Sequence, residues 1–291
     1  MSRNFNENTR VQVPAALHLC KLGYTYLDKI EKYDHSTNIL TNIFLSQLAK
    51  LNPSLSEQDG RNYLTKLIGC LNNEDLGKEF YSYLSTKSGV RLIDFDNPEN
   101  NTWHVTTEFT CENEDTKDNF RPDITCFING LPLAFIEVKK PNNHEGMKAE
   151  FDRTNTRFKN KAFRRFFNIT QLMIYSNNQE YDNNNRVPVQ GAFYCCTAKE
   201  KAFYNVFREQ DKNFVAKYPY EQITDNIVKK VCRHRNCQAL PSLPEFTTNC
   251  KIDTPTNRIL TSMLCKERIL FLLCYGFAYV ERTIELENGE K

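Results

Sequence analysis

Apolar positions in the first part of the chain recur at helical spacing, and from Val90 onward they take the two-residue alternation of strands. Val11, Ala15 and Leu19 share one face of a helix predicted from Asn4 to Leu22, with Pro14 starting or kinking it and Gly23 as C-terminal cap. Ser36 to Leu51 and Ser56 to Leu71 form two more helical patterns separated by Asn52-Pro53, the second opened by a capping-box variant, Ser56-Glu-Gln-Asp59. Asn73 to Leu84 gives a shorter one. Arg91 to Phe95 and Trp103 to Cys111 read as extended, Glu145 to Phe167 as one or two helices, and Asn168 to Asn177 as a short apolar strand with polar ends. An Asn-rich turn, Gln179 to Arg186, precedes a further strand from Val189 to Thr197. Helical or mixed patterns follow, including Tyr220 to Arg235, then a proline-containing connection from Pro241 to Asn249 and a long apolar helical stretch from Asp253 to Tyr279.

Two runs rich in β-branched and aromatic residues flank Asn129-Gly130, which predicts an antiparallel hairpin. Along its second run Leu133, Phe135, Glu137 and Lys139 fall on one face, and Ala134, Ile136 and Val138 on the other. A face that is apolar until its end and then charged belongs at the edge of a core. Asp123 opens the partner run, and whether it meets Glu137 depends on parity. A strict two-residue turn puts it opposite Ile136, whereas an odd-length loop or a bulge puts it opposite Glu137. Pro132, which sits poorly in a paired ladder, favours the second arrangement.

Composition changes little. The chain of 291 residues is 40% hydrophobic and 25% charged, as in a globular protein of one large or two modest domains. A net charge of +2 leaves nucleic-acid binding to local patches. No apolar run reaches membrane-spanning length and Met1 to Glu7 lacks the apolar core of a signal peptide, so the expected location is the cytoplasm. The 11 cysteines are scattered through apolar surroundings and read as reduced, buried thiols. Cys232-Arg-His234-Arg-Asn-Cys237 has no convincing partner pair with which to complete a zinc site. The acids from Glu112 to Asp118 read as a solvated loop.

Chemistry concentrates on the hairpin. Two carboxylates on neighbouring strands, Asp123 and Glu137, suit Mg²⁺ at roughly 2.0–2.1 Å per oxygen with positions left open, and the Val138 carbonyl between the site residues is a further candidate oxygen. A lysine beside them, Lys139, orients or helps deprotonate an attacking water and offsets charge on a phosphate in transition. Pro122-Asp123 followed by Glu137-Val138-Lys139 resembles the PD-(D/E)xK nuclease signature. The longer string, Arg121-Pro-Asp-Ile, then Asn129-Gly-Leu-Pro-Leu, then Ile136-Glu-Val-Lys139, resembles the N-terminal nuclease domain of the restriction (R) subunit of type I restriction enzymes. That resemblance implies Asp123, Glu137 and Lys139 as the catalytic triad of a Mg²⁺-dependent deoxyribonuclease. It further implies an α/β, restriction-endonuclease-like mixed β-sheet flanked by helices with a C-terminal helical extension.

Other readings lean on the same likeness. A helix before a Gly-Tyr pair, here Gly23-Tyr24, often carries an extra acid in that family; Gln12 stands at its expected place, and Glu7 is the nearest carboxylate and a possible extra metal ligand. Arg153, Arg157, Lys159, Lys161, Arg164 and Arg165 are a basic segment directly after the site, suited to DNA phosphates or else to a solvated helix face. Gln171 and Tyr175 match the spacing of a glutamine and tyrosine pair that the family places on the preceding helix; a strand tail at a sheet edge is the equal alternative. Residues 1–250 read as the endonuclease domain and 251–291 as a helical lead-in to a motor domain. No phosphate-loop motif occurs, so ATP enters only through a motor absent from this chain. Implied partners are double-stranded DNA and the modification and specificity subunits, with no membrane. A repair or junction nuclease on the same fold, and a non-catalytic DNA-binding or assembly module, are the alternatives.

Overall fold

The computed structural model describes residues 7, 11–86, 89–111, 119–141, 143, 145–181, 190–199, 202–208, 212–235 and 253–280. Its centre is a mixed sheet of seven strands in sequence order: β1 (Thr25–Tyr26), β2 (Trp103–Thr107), β3 (Ile124–Ile128), β4 (Leu131–Val138), β5 (Leu172–Ser176), β6 (Ala192–Cys195) and β7 (Asn205–Val206). The pairs β1–β2 and β4–β5 are parallel and the others antiparallel. The chain thus has the α/β, helix-flanked mixed sheet that the resemblance implied, consistent with a restriction-endonuclease-like fold.

Helices cover both faces because the central strands are apolar on both. On one side α1 (Val13–Lys21), α8 (Asp225–His234), α9 (Pro255–Leu264) and α10 (Lys266–Phe271) pack with Ile124, Cys126, Ile136, Val138 and Ile174 into one core, so the helices after Asp253 share a core with the first helix. On the other, α5 (Gly146–Lys159) and α6 (Arg164–Ile169), joined by a 3₁₀ turn at Lys161–Phe163, lay Phe163, Phe166 and Phe167 against Phe120, Phe135 and Tyr175. Each phenylalanine so buried contributes about 1.5–3 kcal/mol. Three helices, α2 (Thr41–Leu51), α3 (Glu57–Cys70) and α4 (Lys78–Leu84), lie between β1 and β2 in sequence, and α7 (Lys212–Lys217) precedes α8. No helix among the described residues is long and apolar enough to cross a membrane.

Several predicted boundaries move for local reasons. The Ser36 start gives way to Thr41, because the Asp34 carboxylate binds the Ser36 and Thr37 amides and holds that stretch as a turn. Ser56 caps α3 as expected, accepting from the Asp59 amide at 3.1 Å. Arg91 to Phe95 forms no strand, since Asp94 spends its carboxylate on the amides of Asp96 and Asn97 and its carbonyl on Asn101. The strand expected to reach Cys111 ends at Thr107, where Glu108 turns left-handed at φ 51°. The asparagine-rich turn and the Pro241–Asn249 connection lie wholly or largely outside the described residues, as do the acids from Glu112 to Asp118.

Nine described cysteines are free, most of them buried. Cys237 lies outside the described residues, and His234 Nδ1 is 2.6 Å from the Tyr26 hydroxyl, which engages the ring of the weighed zinc motif with β1.

Candidate active site

The hairpin turn is two residues long, with Asn129 at φ 51° and Gly130 at φ 81°. Asn129 is buried and bonds the Thr102 amide, the Leu92 carbonyl and the Asn101 side chain. An odd-length loop is therefore not what sets the parity. A bulge does: pairing runs Ile128 to Leu131 and Phe127 to Pro132, then jumps to Cys126 with Ala134 and Ile124 with Ile136. Leu133 is the extra residue, and it packs with the core opposite Phe135 rather than beside it. The shift of one carries Asp123, just before β3, alongside Glu137.

Four carboxylates surround the Lys139 ammonium. Its Nζ lies 3.7 Å from Asp123 Oδ2, 3.8 Å from Glu137 Oε2, 3.8 Å from Glu7 Oε1 and 3.6 Å from Glu150 Oε2. The Val138 carbonyl, a candidate metal oxygen in the sequence, accepts from this ammonium at 2.9 Å, while the Val138 amide donates to Asp123 Oδ2 at 2.8 Å. Glu7 also accepts from the Lys140 amide, which holds it beside Lys139. Gln12 is buried and sends its side-chain amide to the Asp123 carbonyl, 2.9 Å away.

Glu150 was not legible as a site residue. It sits on α5 with 1% of its surface exposed, and its Oε2 is buried without a hydrogen-bond partner. Arg157 reaches its other oxygen at 3.2 Å and stands 4.0 Å from Glu137 Oε1, with its guanidinium over the Phe120 ring. Met147, Glu150 and Thr154 are buried on α5 at spacings of three and four, so an acid on the inward stripe of an amphipathic helix was the available signal.

Electrostatics follow from this crowding. Burial pushes the Glu137 carboxyl well above the usual range, and the charges of Asp123 and Glu150 push the same way against the pull of Lys139. Glu7 is raised first by burial and then by Asp123. For Lys139 burial works against the charge, but Asp123, Glu137, Glu150 and Glu7 outweigh it and hold the ammonium above its ordinary value.

The basic segment divides. Arg153, with a side chain 54% exposed, and Arg157 flank the acids through Glu150, and Lys159 is exposed further along α5. Lys161 and Arg164 pair with Glu74, and Arg165 bonds Asn72 at 2.5 Å, so these three link α6 and the 3₁₀ turn before it to the loop before α4. Gln171 and Tyr175 are both buried: Gln171 bonds main-chain carbonyls at the far end of the sheet, and the Tyr175 hydroxyl meets Thr154 at 2.9 Å. Both are enclosed by the protein rather than presented at a surface, because β5 is an interior strand and not the edge that a polar tail suggested.

Among the described residues no three His, Cys, Asp or Glu side chains stand ready in the arrangement of a metal site. The donor set nevertheless fits a hard divalent cation: four carboxylates face Lys139, Arg157 and Arg153, and one buried carboxylate oxygen lacks a hydrogen bond.

Residues 4–185 match the family described as Type I restriction enzyme R protein N terminus. A protein of Methanocaldococcus jannaschii named "Putative type I restriction enzyme MjaIXP endonuclease subunit" is 29% identical over 199 residues, 60% of this chain and 19% of its own length. A second from the same organism, "Putative type I restriction enzyme MjaVIIIP endonuclease subunit", is 26% identical over 178 residues, 56% of this chain and 17% of its own. The matched region is thus under a fifth of either relative. With a family match over most of its length, which includes the hairpin that carries Asp123, Glu137 and Lys139, the chain belongs to the type I restriction enzyme R protein N-terminal family.

Proposed function

We propose that this chain is the DNA-cleaving portion of a type I restriction enzyme R subunit, hydrolysing phosphodiester bonds endonucleolytically with Mg²⁺. The observation that carries the reading is the approach of Asp123 and Glu137, on neighbouring ribbons, to within 3.8 Å of the Lys139 ammonium. Asp123 and Glu137 would hold the cation, with Glu7 beside them. When bound, Mg²⁺ supplies Lewis-acid charge at the phosphate and acidifies water.

The chain's own groups do the rest. Lys139, kept protonated by its acidic neighbours, acts as a donor: it orients water by hydrogen bonding and offsets charge gathering on the phosphate oxygens. Arg153, exposed beside Glu150, would take the DNA backbone, with Lys159, exposed at the end of α5, as a further phosphate contact. Arg157 stays with Glu137 and Glu150 and offsets their charge. Sequence recognition would come from specificity and modification subunits, as the family implies, leaving this portion with little base preference.

Nicking of supercoiled plasmid tests the reading. Activity should require Mg²⁺ and vanish in Asp123→Asn and Lys139→Ala; Mg²⁺-dependent nicking that survives Lys139→Ala in a folded protein overturns it.

A further inference from the structure

Asp123 belongs to a closed ring of four residues from four segments. Its carbonyl accepts from the Glu108 amide at 3.0 Å and from Gln12 Nε2 at 2.9 Å. Gln12 Oε1 accepts from Arg235 Nε at 3.1 Å, and another guanidinium nitrogen of Arg235 pairs with the Glu108 carboxylate, closing the circuit. Arg235 caps the C-terminal end of α8, where a cation is favoured, and α8 is seated on β1 by Lys230 Nζ on the Tyr26 carbonyl at 2.9 Å.

Asp123 needs such support. It precedes β3, so the strand ladder proper starts one residue too late to fix it. Two donors on one carbonyl use both lone pairs and stop the peptide plane from turning. That plane sets the direction of the side chain, whose Oδ2 reaches the Val138 amide and the Lys139 ammonium. Gln12 is 2% exposed, so both of its ends must be satisfied, and the ring satisfies both.

We propose that Gln12 and Arg235 are positioning residues that aim the Asp123 carboxylate, coupling the seat of α8 to the affinity of the site for a divalent cation. This rests on the proposed nuclease reading. Charge alone predicts the opposite sign: removing the Arg235 guanidinium, a cation linked to Asp123 through Gln12 and Glu108, should strengthen cation binding, whereas a loss of aim weakens it.

The experiment is Mn²⁺ binding to the 291-residue chain, followed by electron paramagnetic resonance with a thermal melt of each variant. Wild type should bind and Asp123→Asn should not. Arg235→Ala and Gln12→Met should bind about 10–100-fold more weakly while remaining folded, with nicking largely recovered at saturating metal. Gln12→Met changes no charge and carries the test if Arg235→Ala does not fold. Binding equal to or tighter than wild type in a folded Gln12→Met or Arg235→Ala overturns the inference and leaves the nuclease reading standing. If wild type and Asp123→Asn bind alike, both fall.

Discussion

Glu150 approaches the Lys139 ammonium to 3.6 Å, nearer than Asp123 or Glu137 although it stands on a helix outside the hairpin. Its charge is among the causes that raise the Glu137 carboxyl, after burial and Asp123. Glu137 must lose its proton to hold a cation, so Glu150 delays that loss on a pH axis.

Glu150→Gln should therefore shift the rising limb of the nicking rate to lower pH. Burial and Asp123 remain, so the limb stays above that of an ordinary glutamate. A pH–rate profile at fixed Mg²⁺ reads the shift, and an unchanged or higher midpoint contradicts the coupling.

Lys139 is 8% exposed among four carboxylates, and its removal leaves their charge without a central cation. Breaking a buried ion set in this way costs about 3–5 kcal/mol. Lys139→Ala should fold but melt earlier than wild type near neutral pH, and adding Asp123→Asn should restore part of the loss. Denaturant melts of the single and double variants measure both effects.

Gly130 completes the turn at φ 81°, and a Cβ there would lie 2.8 Å from the Leu40 carbonyl oxygen and 2.8 Å from the Phe44 amide nitrogen. Both are main-chain atoms that cannot yield. Gly130→Ala should cost at least about 1–3 kcal/mol. It should also weaken metal binding, because the bulge at Leu133 depends on the turn beneath it. Urea denaturation gives the first quantity and Mn²⁺ titration the second.

The hairpin was legible because its signals are local: Asn-Gly for the turn, Pro132 for an irregular ladder, and an acid-then-lysine ending on an apolar face. Parity could be posed from sequence but not decided, since a loop residue and a bulge residue shift the register equally. Glu150 escaped because its neighbours Asp152 and Arg153 make that stretch of α5 look solvated, and only the stripe through Met147 and Thr154 marks it as inward. The basic run misled for the converse reason. Arg164 and Arg165 find Glu74 and Asn72, some ninety residues upstream, and no local pattern announces such a partner. The ring of Gln12, Glu108, Asp123 and Arg235 spans 223 positions and is invisible to any window.

His18 sits in α1 wholly enclosed, with Nε2 2.7 Å from the Thr261 hydroxyl of α9, and burial with the nearby Lys21 charge lowers its pKa to about 3. The unfolded chain, with an ordinary imidazole near 6.5, takes up a proton that the folded chain refuses. Stability is then full above 6.5 and falls as the pH drops from there toward 3, the sign expected of a depressed pKa. By pH 5 the loss from this one group amounts to about 2 kcal/mol at 1.36 kcal/mol per unit. Urea midpoints at pH 7 and pH 5 should differ accordingly in wild type, and His18→Gln, which keeps a polar group for Thr261 without a titrating ring, should flatten the difference. An equal fall in both proteins would show that His18 is not its source, and the carboxyls raised around Lys139, Glu137 and Glu7, have the wrong sign to supply it.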